Sequence, residues 1–273
     1  KKNNKLFFLL GTTFLQQKKY DQSITYFNNS INLDPSFPNP YNNLGIALTE
    51  TTNYLEAKEN YDKAIEINPK FADAYSNRGI ILQEMRRFQE ALESYNKAIE
   101  IKPDHSFAYN NRGIVLKDLN RFDEALSSYN KAIQINPMFI EPYNNMGNIF
   151  KDSKQYEEAL KNFQKIMNLN RGYNYNLGKI LHTSMFLSEW KNFDILYDQI
   201  NIGINKKENV IEPFSFLGIS DDPFSSKIVT ELFIKNKFPD SHKLNDKVQN
   251  YDHKKPRVAY LSGDFYDHPV LHL

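Results

Sequence analysis

Two histidines near the end of the chain, His268 and His272, stand four residues apart. On a helix that spacing puts both imidazoles on one face, which suits a pair of metal ligands. No third ligand and no HExxH glutamate accompanies them, so no metal is expected. A histidine with a pKa near ~6.5 can also act as a base at neutral pH, or donate a hydrogen bond to substrate oxygens. His268 follows the apolar run Val258-Ala259-Tyr260-Leu261 and the turn Ser262-Gly263-Asp264, and Pro269 comes next. This order predicts a buried strand, a glycine turn and a helix whose first amides can hold phosphate. Neither GxGxxG nor GxxxxGK[ST] occurs anywhere. The paired acids Asp221 and Asp222 precede Pro223. A helix N-cap with proline in the first turn explains them better than acid–base chemistry or a metal.

A different chemistry is spread along the chain. Asn43, Asn77, Asn111 and Asn145 recur every 34 residues. Asparagine is a poor interior helix former. Each amide carries two donors and an acceptor, so a ladder of them can hold an extended peptide by its backbone, whatever its sequence. Seven residues after each rung comes an acid, Glu50, Glu84, Asp118 or Asp152, suited to basic or hydroxyl-bearing side chains of such a peptide. Solvated polar positions are the plainer alternative in an asparagine-rich chain. The shared register of all four rungs favours binding.

These side chains need a scaffold, and repetition supplies it. Gly11, Gly45, Gly79, Gly113 and Gly147 are 34 residues apart, as are Pro35, Pro69, Pro103 and Pro137. Four residues before each glycine is an aromatic: Phe7, Tyr41, Tyr75, Tyr109 or Tyr143. Twelve after it is a small residue, Ser23, Ala57, Ala91, Ala125 or Ala159. Next come the aromatics Phe27, Tyr61, Tyr95, Tyr129 and Phe163, and then Ser30, Ala64, Ala98, Ala132 and Ile166. An aromatic and a glycine four apart share a face of a first helix, and the missing Cβ admits a second helix closely. The small–aromatic–small series forms one stripe on that second helix. Proline closes the unit. Such a hairpin cannot bury its apolar face alone and must stack on its neighbours.

This pattern resembles the tetratricopeptide repeat, in five units over residues 4–37, 38–71, 72–105, 106–139 and 140–173. The resemblance implies an all-α solenoid whose first helices line a concave face that binds proteins or peptides. Unit one departs from it with Ser23, Ser30 and Leu9 in place of a rung, and unit five with Ile166 and with Arg171 at the proline position. The array is therefore expected to end near residue 173. Pairs such as Glu93–Lys97 and Glu157–Lys161 are expected as exposed ion pairs on second helices.

Composition narrows the rest. The 273 residues carry a formal charge of +1, which gives no support for phosphate-driven nucleic-acid binding. No apolar run approaches the ~20 residues of a membrane span. The absence of cysteine excludes disulfides, thiolate zinc sites and a cysteine nucleophile, and fits a cytoplasmic protein. Lys1–Lys5 before Leu6–Leu10 mimics a signal peptide, but the apolar run is too short and no small-residue cleavage site follows.

Residues 174–237 read as a helical adaptor. A helix through Leu177, Ile180, Leu181 and Met185 is expected, then one through Trp190, Phe193, Leu196, Tyr197 and Ile200 with Trp190 in the core. A helix capped by Asp222 runs to about Asn236, and residues 238–273 hold a polar loop and the predicted strand. The repeats, Glu212-Pro213-Phe214, Asp221-Asp222-Pro223, then Arg257 to Phe265 and His268-Pro269-Val270, together resemble the SPINDLY and protein O-GlcNAc transferase family. The resemblance implies two Rossmann-like lobes, an inverting, metal-free transfer from a nucleotide-sugar donor such as UDP-GlcNAc to Ser/Thr, and repeats that deliver the protein substrate. Relatives that attach glucose to asparagine or fucose to serine stay open. The resemblance places His268 in the active site, as base or in positioning, and His272 beside it with a less certain role. Only the first strand and turn of a catalytic lobe fall within the chain, so this stretch is expected to be the inactive N-terminal part of such an enzyme. The alternative is a repeat scaffold that binds peptides and does no chemistry.

Overall fold

The computed structural model describes residues 2–238, which hold fourteen helices and no strand. The strand expected near Val258, with His268 and His272, lies outside the described residues. Five helical hairpins stack in order: α1 (Lys2–Gln16) with α2 (Tyr20–Leu33), α3 (Pro38–Glu50) with α4 (Tyr54–Ile67), α5 (Ala72–Glu84) with α6 (Phe88–Ile101), α7 (Ser106–Asp118) with α8 (Phe122–Ile135), and α9 (Ile140–Asp152) with α10 (Tyr156–Leu169). No described helix is long and apolar enough to cross a membrane.

Each hairpin closes around its glycine. The rings of Phe27, Tyr61, Tyr95, Tyr129 and Phe163 are at most 2% exposed. A Cβ added to the glycine sixteen residues earlier would lie 2.5–2.7 Å from the ring atoms. The flanking small residues Ser23, Ala57, Ala91, Ala125 and Ala159, and Ser30, Ala64, Ala98 and Ala132, are wholly buried. The two serines of unit one find partners: Ser23 Oγ donates to Gly11 O (3.0 Å) and Ser30 Oγ to Asn4 O (2.8 Å).

Turns inside the hairpins repeat as faithfully. Lys18, Thr52, Arg86, Asn120 and Lys154, 34 apart, hold φ of 57–61°. A left-handed residue after a helix lets the next amides cap its last carbonyls. Asn53 N accordingly donates to Leu48 O (2.9 Å). Between hairpins the chain turns on a side chain: Asn68, Asn136 and Asn170 each accept from the amide two residues on. The turn at Asn170 forms with Arg171 where other units have proline.

For that reason the register does not stop at residue 173. Helix α11 (Asn176–Phe186) follows, and its C-terminal turn has Ser188 at φ 55°, 34 residues beyond Lys154. Leu177, Tyr197 and Ile200 occupy the next positions of the aromatic and buried series. Leu181, however, stands where glycine belongs, and Phe193 where alanine belongs. The bulk at both points explains why α12 (Phe193–Asn205) packs less closely on α11 than second helices do in the other units. Units five and six share one core with α13 (Pro213–Leu217) and α14 (Pro223–Lys237), through Phe163, Ile166, Leu181, Ile200, Phe216 and Val229. Asp222 caps α14, accepting from Phe224 N (3.1 Å) and Ser225 N (3.0 Å).

Two expectations need correction. Trp190 is not core: it is 56% exposed in the turn before α12, in tilted contact with Phe193. Lys97 and Lys161 pair with Glu100 (2.9 Å) and Glu158 (3.6 Å), three residues away, rather than with Glu93 and Glu157.

Gly79→Ala tests the hairpin closure. Alanine gains about 1 kcal/mol of helix propensity, but its methyl must displace a buried ring, so a net loss of about 1–2 kcal/mol is expected. In denaturant titrations the double change with Tyr95→Leu should cost less than the two single losses added together. Simple additivity would reject the close contact as the cause.

Candidate binding groove

Successive first helices α1, α3, α5, α7 and α9 approach one another directly, and no pair of successive second helices is packed comparably. The first helices therefore lie on the inner radius of the stack. On them sit the four asparagines, each half-buried: Asn43 on α3, Asn77 on α5, Asn111 on α7 and Asn145 on α9. They are also tied to one another. Asn43 Nδ2 reaches Thr12 Oγ1 (3.4 Å), and its Oδ1 accepts from Asn42 Nδ2 (3.1 Å). Asn42 Oδ1 accepts in turn from Asn77 Nδ2 (3.0 Å). Asn110 repeats the relay, donating to Asn111 Oδ1 (3.1 Å) and accepting from Asn145 Nδ2 (3.2 Å). It breaks between Asn77 and Asn111, where Ser76 replaces the bridging amide.

The bridging amides Asn42 and Asn110, 5% and 4% exposed, were not anticipated as site residues. Their signal is the doublet: Asn42-Asn43, Asn110-Asn111 and Asn144-Asn145 share one register. Buried amides that satisfy one another fix the rung orientation without blocking the rung's outer atoms.

Glu50, Glu84, Asp118 and Asp152 are exposed, and each is the last residue of its first helix. A carboxylate at that negative end of the helix dipole costs about 0.3–1 kcal/mol. Glu50 accepts from Tyr20 Oη (3.0 Å) and Asp118 lies 3.6 Å from Lys117 Nζ.

The ladder runs one rung further than the asparagines. Lys179 on α11 lies 34 residues beyond Asn145. Its Nζ donates to Asn144 Oδ1 (2.6 Å), the bond that Asn77 makes to Asn42 and Asn145 to Asn110. It also reaches Asn148 Oδ1 (3.3 Å) and lies 5.5 Å from the Phe163 ring centroid. Burial pushes its ammonium down to about 8, with Lys151 and Lys237 adding to the shift and Glu212 and Asp152 opposing it. One turn on, His182 packs edge-on against Phe186 (4.9 Å) and is also held low, first by burial and then by Lys151. On another side of α11 and α12, a more apolar cleft of about 610 Å³ is bordered by Met167, Ile180, Trp190 and Ile195. Ser184, Ser188, Glu189, Lys191 and Asn192 also border it.

Models of the tetratricopeptide repeat match residues 11–51, residues 36–102 and 70–137, and residues 140–173, together more than half of the chain. The chain belongs to the tetratricopeptide-repeat family. Among solved structures, Pseudomonas aeruginosa PilF superposes with a TM-score of 0.66 at 19% identity, over 73% of this chain and 90% of its own. PilW, a type IV pilus biogenesis factor, gives 0.67 at 14% identity over 84% and 98%. YrrB, described as a tetratricopeptide-repeat protein with an unusual peptide-binding site, gives 0.52 at 20% identity over 66% and 90%. Identities this low establish a shared fold. No curated protein matches the chain.

The sunken ammonium of Lys179 predicts a pH dependence. Its pKa is about 8 in the fold and about 10.4 when unfolded. Between those values the unfolded chain binds more protons, so this group adds stability as pH rises from about 8 towards 10. Above pH 10 the buried phenols, Tyr61 held at about 12 by burial, act in the opposite sense and close the window. Denaturant titrations should show the wild type gaining on Lys179→Met between pH 7.5 and about 9.5. Parallel curves for the two proteins would mean that the ammonium is not sunken.

Proposed function

We propose that this chain is a peptide-binding repeat module, holding an extended segment of another protein along the inner surface of its first helices. The observation that carries this reading is the amide ladder Asn43, Asn77, Asn111 and Asn145, whose rungs sit at one register on neighbouring inner helices and are oriented by buried amides behind them. Asn77 Oδ1 and Asn145 Oδ1 accept no hydrogen bond from any described residue, which leaves acceptors for a peptide's amides. The acid column along the same helices favours basic or hydroxyl-bearing side chains beside that backbone. YrrB, a neighbour in fold known as a tetratricopeptide-repeat protein with an unusual peptide-binding site, agrees with this use of the architecture.

Replacing all four rungs with alanine should raise the Kd for groove-bound peptides by more than about tenfold, at roughly 0.5–1.5 kcal/mol per lost hydrogen bond. The helices should stay folded, because alanine is the better helix former. Circular dichroism run alongside isothermal titration separates the two effects. Unchanged affinity in a folded quadruple variant would end the ladder reading.

A second reading is supported by the motifs from Glu212 to Val270: the module serves a glycosyltransferase that moves a sugar from a nucleotide-sugar donor to bound proteins, with His268 at the reacting centre. Inside the described residues, Phe214 and Phe224 stand 84% and 71% exposed on α13 and α14, the helices that begin at the first two of these motifs. In a transferase that joins this region to a donor lobe, His268→Ala should lower turnover by roughly 10²-fold, in line with loss of an acid–base or electrostatic group. The melting of the repeats should not change. Retention of more than about a third of turnover would remove His268 from the mechanism.

A further inference from the structure

On α11 the rung register carries a lysine where units two to five carry an amide. Lys179 Nζ keeps the amide's bond, donating to Asn144 Oδ1 (2.6 Å) as Asn77 Nδ2 does to Asn42 and Asn145 Nδ2 to Asn110. Its second partner is Asn148 Oδ1 (3.3 Å). Among the described residues no carboxylate comes within ion-pair distance of it. Lysine is seldom buried unless paired, and an uncompensated charge at such a position is expensive.

A neutral amine suits these surroundings better than an ammonium. It has two N–H bonds, one for each amide oxygen, and a lone pair left over. Burial is the main reason that the group titrates at about 8. The charges that face it nearly balance, with Lys151 and Lys237 disfavouring the ammonium and Glu212 and Asp152 favouring it. The neighbouring His182, Tyr173 and Tyr175 are each pushed by burial towards their neutral forms. At pH 7.5 about a quarter of such an amine is uncharged, against about 0.1% of an ordinary lysine. A desolvated lysine of this kind is a nucleophile near neutral pH. It is also reachable, because Lys179 borders a cleft of about 400 Å³ where unit five meets the adaptor.

We propose that Lys179 is an acetylation site, which takes its acetyl group from an acyl phosphate entering this cleft. Nζ attacks the carbonyl carbon, and the bond from that carbon to the phosphate oxygen breaks. Inorganic phosphate leaves with the electron pair, and the proton lost from nitrogen goes to water. The product is a secondary amide. Its N–H still donates to Asn144 Oδ1, and its carbonyl supplies the acceptor that an asparagine rung has. Acetylation therefore removes the unpaired charge and turns the cationic rung into an amide like the others. A small acyl phosphate fits a cleft of this size whole, whereas the carrier of an acyl thioester does not. Lys237 lines the same cleft, again with no carboxylate at ion-pair distance among the described residues, and offers its ammonium to the leaving phosphate. None of this depends on a peptide in the groove.

In the test, the full chain is incubated with acetyl phosphate between pH 7 and 9.5, and mass spectrometry locates and times each modified lysine. At pH 7.5 Lys179 should react about tenfold faster, or more, than Lys161 and Lys227, whose side chains are each 74% exposed. Its rate should level off near about pH 9, while those of the exposed lysines keep climbing. Acetyl-coenzyme A at the same concentration should label it more slowly. A second measurement asks whether the product fits: the chain made with Nε-acetyllysine in place of Lys179 should melt no lower than the wild type at pH 7. Equal rates at the three lysines, a Lys179 rate that climbs in parallel with the other two, or faster labelling by acetyl-coenzyme A would each overturn the proposal. So would a melting temperature more than about 2 °C below that of the wild type.

Discussion

Everything in this molecule depends on a ring pressed against a backbone. In five hairpins an aromatic of the second helix lies where the first helix has no Cβ, close enough that even a methyl would collide. A glycine inside a helix costs about 1 kcal/mol against alanine, while burying a Phe-sized side chain returns roughly 1.5–3 kcal/mol. The exchange is favourable only where the two helices truly close, so the glycine and the ring are needed together. Where the pair is lost, the geometry goes with it. Leu181 stands in the glycine's place, Tyr197 in the ring's is no longer fully buried, and α12 swings away from α11. The space this opens is filled by the loop before α13, whose Val210 O accepts from Gly178 N (2.9 Å). Helices α11 and α12 therefore form an open hairpin that is packed from outside.

Hairpin closure also decides which face carries the asparagines. Because every hairpin has the same tight interior, the stack curves the same way at each step and brings the first helices to the inner radius. Inner helices are near enough for side chains 35 residues apart to bond, as Asn42 with Asn77 and Asn110 with Asn145 do. The ladder is thus a consequence of curvature, and curvature is a consequence of glycine. The outer face, by contrast, carries short-range ion pairs such as Arg87–Glu90 and Arg121–Glu124, exposed and three residues apart. Pairs of that kind contribute little to stability.

The repeat was readable in the sequence because each of its constraints demands a residue type: no Cβ, a ring, a small residue, a turn former. The asparagine register was readable for the same reason. Harder to read was anything set by a backbone angle. The left-handed turn residues are Lys, Thr, Arg, Asn, Lys and Ser, and only the asparagine is a type that favours such a turn, so their 34-residue rhythm is silent in the letters. The sixth unit was hidden by Leu181, Phe193 and Arg171, three substitutions at marker positions, although its turn and its rung keep the register. Trp190 was misplaced because hydrophobic periodicity says which residues could be buried, not which ones the packing covers, and this one stays more than half exposed. The cleft beside Lys179 was out of reach, since Tyr173, Lys179, Glu212 and Lys237 meet only through the packing of α14 on the end of the array.

For the proposed peptide, the relay behind the rungs sets what the groove would offer. Each rung already has part of its hydrogen-bonding capacity committed to a neighbour, so a peptide does not find free, flexible amides. It finds amides held in place, and little side-chain entropy remains to be lost on binding. The same commitment limits the enthalpy, because a rung offers one or two bonds rather than its full capacity. The net worth of each such bond is only about 0.5–1.5 kcal/mol, and a backbone-directed bond does not depend on the side chain above it. A neutral ladder of four is therefore a weak and sequence-tolerant grip. Selectivity has to enter where the periodicity is broken. It is broken in charge at Lys179 and in shape at Leu181, two residues apart on one helix. The substitution that stops the hairpin from closing sits two residues from the one that puts an ammonium at the rung position, so regular closure and the neutral ladder are lost on one helix.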